Sequence, residues 1–222
     1  MALMIAGLLN DVDIMSSLQR PRKITVIGSD GKHYSFLCKA KDDLRKDARL
    51  MEFNSIINKL LKKDSASRKR NLGILTYAVV PLDEECGLIE WVNGINGMRW
   101  ILIAAYEARG IQQWNNEIKT LYDQLRLDPH KTGERFERTI LPLFPAVFHD
   151  WFVEAFPEPS AWLRARTTYS TSTAVMAMVG FILGLGDRHG ENILIDLSTG
   201  AVLHVDFNCL FGKVRVRCQG PC

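Results

Sequence analysis

The chain has 222 residues, 47% of them hydrophobic and 24% charged, with a formal net charge of +3. That length allows one large domain or two small lobes, and the apolar share suffices for a core. The charge is too small to argue nucleic-acid binding. No run reaches the roughly 18 apolar residues of a membrane span. The cysteines at 38, 86, 209, 218 and 222 form neither a disulfide framework nor a convincing zinc spacing, so a reducing compartment is expected.

Met1 to Leu9 is apolar but short, without the basic leader or small-residue cleavage site of a secretory signal. Lys23 to Val26 and Tyr34 to Lys39 read as two strands around Gly28-Ser29-Asp30-Gly31, a hairpin signal. In the second strand Tyr34, Phe36 and Cys38 point one way, and Ser35, Leu37 and Lys39 the other. A helix is expected from about Asp43 to Lys63, with Leu50, Phe53, Ile57, Leu60 and Leu61 at helical spacing and Asp47 at the edge of the buried face. The basic run Ser67-Arg68-Lys69-Arg70 reads as a solvated loop before it reads as a nuclear address.

Gly73 to Pro81 and Gly87 to Val92 look like two further strands, broken by Asn93-Gly94. Beyond this small β-rich lobe the chain turns helical, over Ile101 to Arg109 and Phe136 to Leu141. An apolar stripe, Val147, Phe148, Trp151, Phe152, Ala155 and Phe156, is stopped by Pro157-Glu158-Pro159. A long helix follows from about Ser160 to Leu183, and Trp151 and Trp162 are assigned to the core. Ile193 to Ile195 and Val202 to Val205 read as short strands around Ser198-Thr199-Gly200. The expected class is α+β, two-lobed, with a cleft between a β-rich lobe and a helical one.

Chemistry enters at Gly184-Leu185-Gly186-Asp187-Arg188-His189-Gly190-Glu191-Asn192, with Asp206-Phe207-Asn208 fourteen residues past Asn192. Protein kinases need an Asp to accept the substrate hydroxyl proton, an Asn after four intervening residues, and a further Asp to hold the magnesium ions of ATP. Asp187, Asn192 and Asp206 repeat that spacing, and the hairpin between the last two would deliver both metal ligands to one cleft. Alone, Asp-x-x-x-x-Asn occurs by chance in many chains. Lys39 and Asp47, taken alone, are two charges in a charged stretch. With the downstream motif they become a pair able to orient phosphates.

The Asp-Arg-His order, in place of His-Arg-Asp, resembles the phosphatidylinositol 3-kinase-related protein kinases, and within them the DNA-damage checkpoint branch. The likeness runs from about Asn10 to Phe211. It is most specific in Leu18 to Lys23, Lys41 to Asp47, Arg49 to Asn54, Cys86 to Val92, Ser172 to Met176 and His204 to Phe211. Asn208, in place of the glycine of Asp-Phe-Gly, is a trait of that branch. The resemblance implies a protein-kinase-like fold with an N-lobe over 1–92, a partial C-lobe over 93–211 and a divergent tail over 212–222. It implies ATP with Mg2+ (or Mn2+), protein substrates, a nuclear location, and large complexes with an adaptor protein at damaged DNA. It places Ser17 in the phosphate-binding loop, Lys39 on the phosphates with Asp47 as partner, and Tyr77 in the adenine pocket. Glu90, Trp91 and Val92 form the hinge, Trp91 stacking on adenine. Asp187 is the catalytic base and His189 the stabiliser of the transferring group, roles that are exchangeable; Asn192 and Asp206 bind metal.

The stretch after Phe211 resembles nothing in the family, so a truncated or mis-spliced end is expected, with an exposed apolar face on the long helix and no measurable turnover from the chain alone. Two other functions stay open: a lipid kinase, because phosphatidylinositol kinases share the Asp-Arg-His loop, and an inactive form that binds nucleotide or a partner.

Overall fold

In the computed structural model, residues 3–15, 20–111, 116–126 and 132–211 are described. Ser17 and the 212–222 tail lie outside them. Strands β1 (Ile5–Leu8), β2 (Asp13–Ile14), β3 (Arg22–Gly28), β4 (His33–Ala40), β5 (Val79–Pro81) and β6 (Cys86–Glu90) form one antiparallel sheet. Its main path runs β1-β3-β4-β6-β5, with β2 also on β3. A second sheet orders β7 (Ile95–Gly97), β8 (Ile193–Asp196) and β9 (Val202–His204). The helices are α1 (Arg45–Lys63), α2 (Ser65–Lys69), α3 (Met98–Ala108), α4 (Asn116–Arg126), α5 (Thr132–Arg135), α6 (Phe148–Ala155) and α7 (Pro159–Ile182). The result is the expected two-lobed arrangement, β-rich first and helical after.

Several elements differ from the sequence reading. α1 starts at Arg45, and its buried face is Asp47, Leu50, Met51 and Asn54, whereas Phe53 and Leu60 face outward. That face follows i, i+3, i+4, i+7 spacing one step round from the expected stripe. The run from Gly73 is strand only at Val79–Pro81. Before that, side chains replace a ladder: the Asn58 carboxamide accepts from Ile74 N–H and donates to its C=O, both at 2.8 Å, and the Glu90 carboxylate accepts from Ala78 N–H at 2.7 Å. These bonds satisfy backbone groups that would otherwise be orphaned. Phe136–Ile140 forms a π-helical turn, and Leu141–Leu143 a 3-10 turn.

One apolar cluster spans both lobes. It joins Leu50 and Met51 of α1, Ile74 and Tyr77, Met176 and Val179 of α7, Leu203 of β9, and Phe207. A second cluster stacks Phe152 and Phe156 with Phe148, Trp151, Trp162 and Tyr169. At the far end of α7, Met178, Phe181 and Ile182 are exposed. Helix α7 also fixes the β8–β9 hairpin. The buried Ser172 hydroxyl accepts from Val202 N–H at 3.0 Å while donating to Thr168 C=O at 2.7 Å. Gly200, at φ +74°, turns so close to α7 that a Cβ there would meet the Ala165 carbonyl oxygen at 2.8 Å.

Gly87 pairs with Lys39 in the register of β4 and β6. A Cβ on Gly87 would lie 2.7 Å from the Val80 carbonyl oxygen and 2.8 Å from Leu44 Cδ1. Backbone cannot yield cheaply there, so Gly87→Ala should lower unfolding free energy by about 1–3 kcal/mol. Urea unfolding followed by circular dichroism measures it, and an unchanged midpoint would show the approach is not tight.

Candidate active site

A cleft of about 600 Å³ opens between the two sheets. Its walls include Lys39 from β4, Asp47 from α1, Tyr77, the Glu90-Trp91-Val92 segment that leaves β6, Asn192 before β8, and Asp206 after β9. The alternation along β4 explains one wall, because Leu37 and Lys39 both face in. Asp187 and His189 are not part of the lining. They stand at its margin, about half exposed, with His189 Nε2 3.9 Å from Asp187 Oδ1.

The expected Lys39–Asp47 ion pair is not the one formed. Lys39 Nζ pairs with Asp42 Oδ2 at 3.0 Å. Asp42 sits only three residues along the chain, so the contact costs little ordering. Asp47 is only 5% exposed and forms no ion pair among the described residues. Burial pushes its carboxyl above the usual range. Lys39 and the Phe207 amide pull it back, and Asp206 and Asp42 add further upward pressure. Burial, then Asp47 and Asp206, likewise raise the phenol of Tyr77.

The segment after β6 presents bare backbone. Trp91 N–H donates to Ser35 C=O at 2.9 Å, but among the described residues neither the N–H nor the C=O of Val92 has a partner. Lys23 Nζ lies 5.0 Å above the Trp91 ring and 3.4 Å from Asp13 Oδ2.

Arg188, inside the same motif, has a structural task that its residue type does not announce. Its guanidinium donates to the carbonyls of Gly186 (3.0 Å), Val205 (2.8 Å) and Asp206, and it lies over the Phe207 ring at 5.5 Å. One planar fork thus ties the Asp187 loop to the Asp206 segment. Asn192 closes the same loop: its Nδ2 donates to Asp187 C=O at 3.0 Å, and its C=O accepts from Val205 N–H at 3.1 Å. The loop tip rests on α3, where Arg99 N–H donates to Gly190 C=O at 2.9 Å and a Cβ on Gly190 would meet Arg99 N at 3.1 Å. Asp187 and Asp206 hold φ of +56° and +58°, which costs each about 1 kcal/mol or more for a residue with a Cβ.

The donor set suits a hard cation. Asn192 spends its amide nitrogen on Asp187, which leaves its oxygen free. Asp206 Oδ1 accepts from the side chain of Asn208 at 2.8 Å, and Oδ2 has no donor among the described residues. Among the described residues no three His, Cys, Asp or Glu side chains cluster tightly enough to hold a metal alone. Such a site resembles the magnesium sites that complete their shell with phosphate oxygens.

Residues 33–221 match the family model described as "Phosphatidylinositol 3- and 4-kinase". The chain belongs to this family. It is 57% identical over 204 residues to "Protein kinase rad3" of Schizosaccharomyces pombe, covering 92% of this chain and 8% of that protein. It is 54% identical over 212 residues to "Serine/threonine-protein kinase ATR" of Arabidopsis thaliana, covering 94% and 8%. Among solved structures, "FAT and kinase domain of CtTel1" superposes with a TM-score of 0.84 at 35% identity, covering 95% of this chain and 15% of that one. The chain therefore spans under a tenth of these curated relatives.

His204 of β9 gives this family member a measurable signature. Burial, and then Arg188, depress its imidazole to about 4, and its Nδ1 has no partner. Because the folded-state value lies below the unfolded one, the unfolded chain binds a proton first as pH falls. Stability is full above about pH 6.5 and is lost progressively down to about 4, by roughly 3 kcal/mol. His204→Phe should flatten that part of a stability–pH profile; an unaltered slope would assign the acid lability elsewhere.

Proposed function

We propose that this chain is the ATP-binding and catalytic-loop region of a serine/threonine protein kinase of the DNA-damage checkpoint branch, with lobes at 1–92 and 93–211. What carries the reading is the single cleft of about 600 Å³ whose walls include Lys39, Tyr77, Glu90, Trp91, Val92, Asn192 and Asp206, residues far apart in sequence. In this reading adenine lies against Trp91 and Tyr77 and bonds the free N–H and C=O of Val92. Lys39, kept near the site by Asp42 and Asp47, meets the phosphates, and Ser17 caps them. Asn192 and Asp206 offer oxygens to Mg2+ (or Mn2+), which when bound neutralises charge developing on the transferred group.

The substrate hydroxyl gives its proton to Asp187, and His189, 3.9 Å away, stabilises the phosphoryl oxygens. Arg188 acts through the backbone: holding the Asp206 carbonyl, it sets the spacing between base and metal ligands. The left-handed φ at Asp187 and Asp206 is strain of the kind that clusters at reacting sites. Relatives at 45–57% identity carry serine/threonine-kinase or protein-kinase names, which favours protein over lipid as acceptor. A nuclear location and action within a larger assembly belong to the same proposal.

Phosphoryl transfer from labelled ATP by the full-length protein, offered serine/threonine peptides or phosphatidylinositol vesicles, tests this directly. Peptides should be labelled, and Asp187→Ala or Asp206→Ala should each cut the rate by about 10²–10⁴. Labelling of lipid alone, or activity indifferent to both changes, would sink the proposal. A subtler expectation follows from the Lys23–Trp91 contact. Lys23→Met removes about 0.5–1 kcal/mol of ring positioning, so KM for ATP should rise about two- to fivefold with kcat little changed. A fall in kcat at constant KM would place Lys23 elsewhere in the cycle.

A further inference from the structure

The basic run at the end of α1 and in α2 takes no part in the cleft, yet it borders a cavity. This second cavity, of about 400 Å³, lies between α1, the segment leading from Asn71 to Leu75, and α7. Its wall includes Lys62, Arg68, Asn71, Gly73, Thr168 and Thr171, and no acidic side chain. Lys62 has no ion-pair partner among the described residues, and Arg68 makes only one long bond, 3.4 Å to the Lys62 carbonyl. The nearby Asp64 carboxylate is occupied in capping α2, accepting from Ser67 N–H at 2.8 Å.

The remaining wall is apolar at Leu72, Ile74, Leu75 and Ala201, with donors set among these side chains. The amide N–H groups of Gly73 and Leu75 have no partner among the described residues. Thr168 and Thr171 donate to the carbonyls of Arg164 and Thr167, one turn back in α7. Such back-bonds are readily surrendered, because those carbonyls already accept from the helix. Lys63, Lys69 and Arg70 stand exposed nearby and extend the positive field.

We infer that this cavity is a binding site for a compact phosphoryl anion, separate from the nucleotide cleft. Two cations without ion-pair partners, two residues whose backbone N–H groups are unpartnered among the described residues, and two rotatable hydroxyls line one concavity, the donor types that phosphate oxygens require. A merely solvated basic face would present its charges on a convex surface, with backbone donors already paired. The separation from the cleft follows from α1: Asp47 and Lys62 are fifteen residues apart on one helix, about 22 Å along its axis. The anion is either a free small phosphate or a phosphorylated side chain, and the same chemistry holds both.

The test uses the full-length protein with its nucleotide cleft saturated by a non-hydrolysable ATP analogue. Calorimetry is run with inorganic pyrophosphate, with a phosphothreonine peptide and with the same peptide unphosphorylated. Pyrophosphate or the phosphopeptide should bind saturably, and whichever binds more tightly names the source. The double change Lys62→Gln with Arg68→Gln should weaken that binding by about tenfold or more at an unchanged unfolding midpoint. Lys63→Gln with Lys69→Gln removes the same charge without touching the wall and should leave binding within about twofold. Equal losses in the two double variants would reduce the site to a diffuse field. No difference between wild type and the wall variant, or no binding of either phosphoryl probe, would overturn it outright.

Discussion

The structure hangs on the burial of Phe207. Its ring, 1% exposed, sits in the cluster shared by α1, α7 and β9. That one side chain fixes two polar neighbours it does not resemble. Its backbone amide favours the charged form of Asp47, and Asp206 precedes it with a backbone bend that only firm anchoring would sustain. Arg188 lies over the same ring and holds the Asp206 carbonyl. Apolar packing therefore sets where the polar groups stand, and the hydrogen bonds set their direction.

The electrostatics of the cleft follow from this. Asp47 and Asp206 line it and Asp42 holds Lys39 at its wall, with Lys39 and Arg188 as the cations near these acids. Arg188 is committed to carbonyls, so Asp206 faces the cleft without an arginine partner on its carboxylate. Asp47 is raised by burial and by its acidic neighbours, a strain that a cation arriving near Asp206 would relieve. Asn208 adds a donor to one Asp206 oxygen and so orients the carboxylate, a task a glycine at that position could not perform.

Rigidity is distributed accordingly. The β8–β9 hairpin is pinned to α7 by Ser172 and by the close approach of Gly200, so Asn192 and Asp206 sit on firm supports. The segment after β6 is tied at both ends: Val92 lies between Trp91, bonded to Ser35, and Gly94, whose carbonyl accepts from Leu197 N–H. A short stretch with unspent backbone groups between two tied ends suits recognition of a planar, hydrogen-bonding ring.

The amino-acid sequence by itself determined the kinase-like spacing of Asp187, Asn192 and Asp206, the β3–β4 hairpin, the inward side of Lys39 and the two-lobed order of elements. These are local: spacing, alternation and turn residues report on neighbours within a few positions. It also carried Arg188 in plain view without disclosing its task, since a guanidinium that binds four carbonyls leaves no pattern in residue type. Only the tertiary structure decided that Lys39 pairs with Asp42 while Asp47 is buried on α1. It alone decided that Asn58 and Glu90 stand in for a missing strand partner beside Ile74 and Ala78. And it alone turned α1 so that Asn54, not Phe53, is buried. The Asn58 and Glu90 bonds depend on which polar group reaches a partner across distant segments, and the turn of α1 on which of its faces packs against α7 and β9; the linear order of residues contains neither.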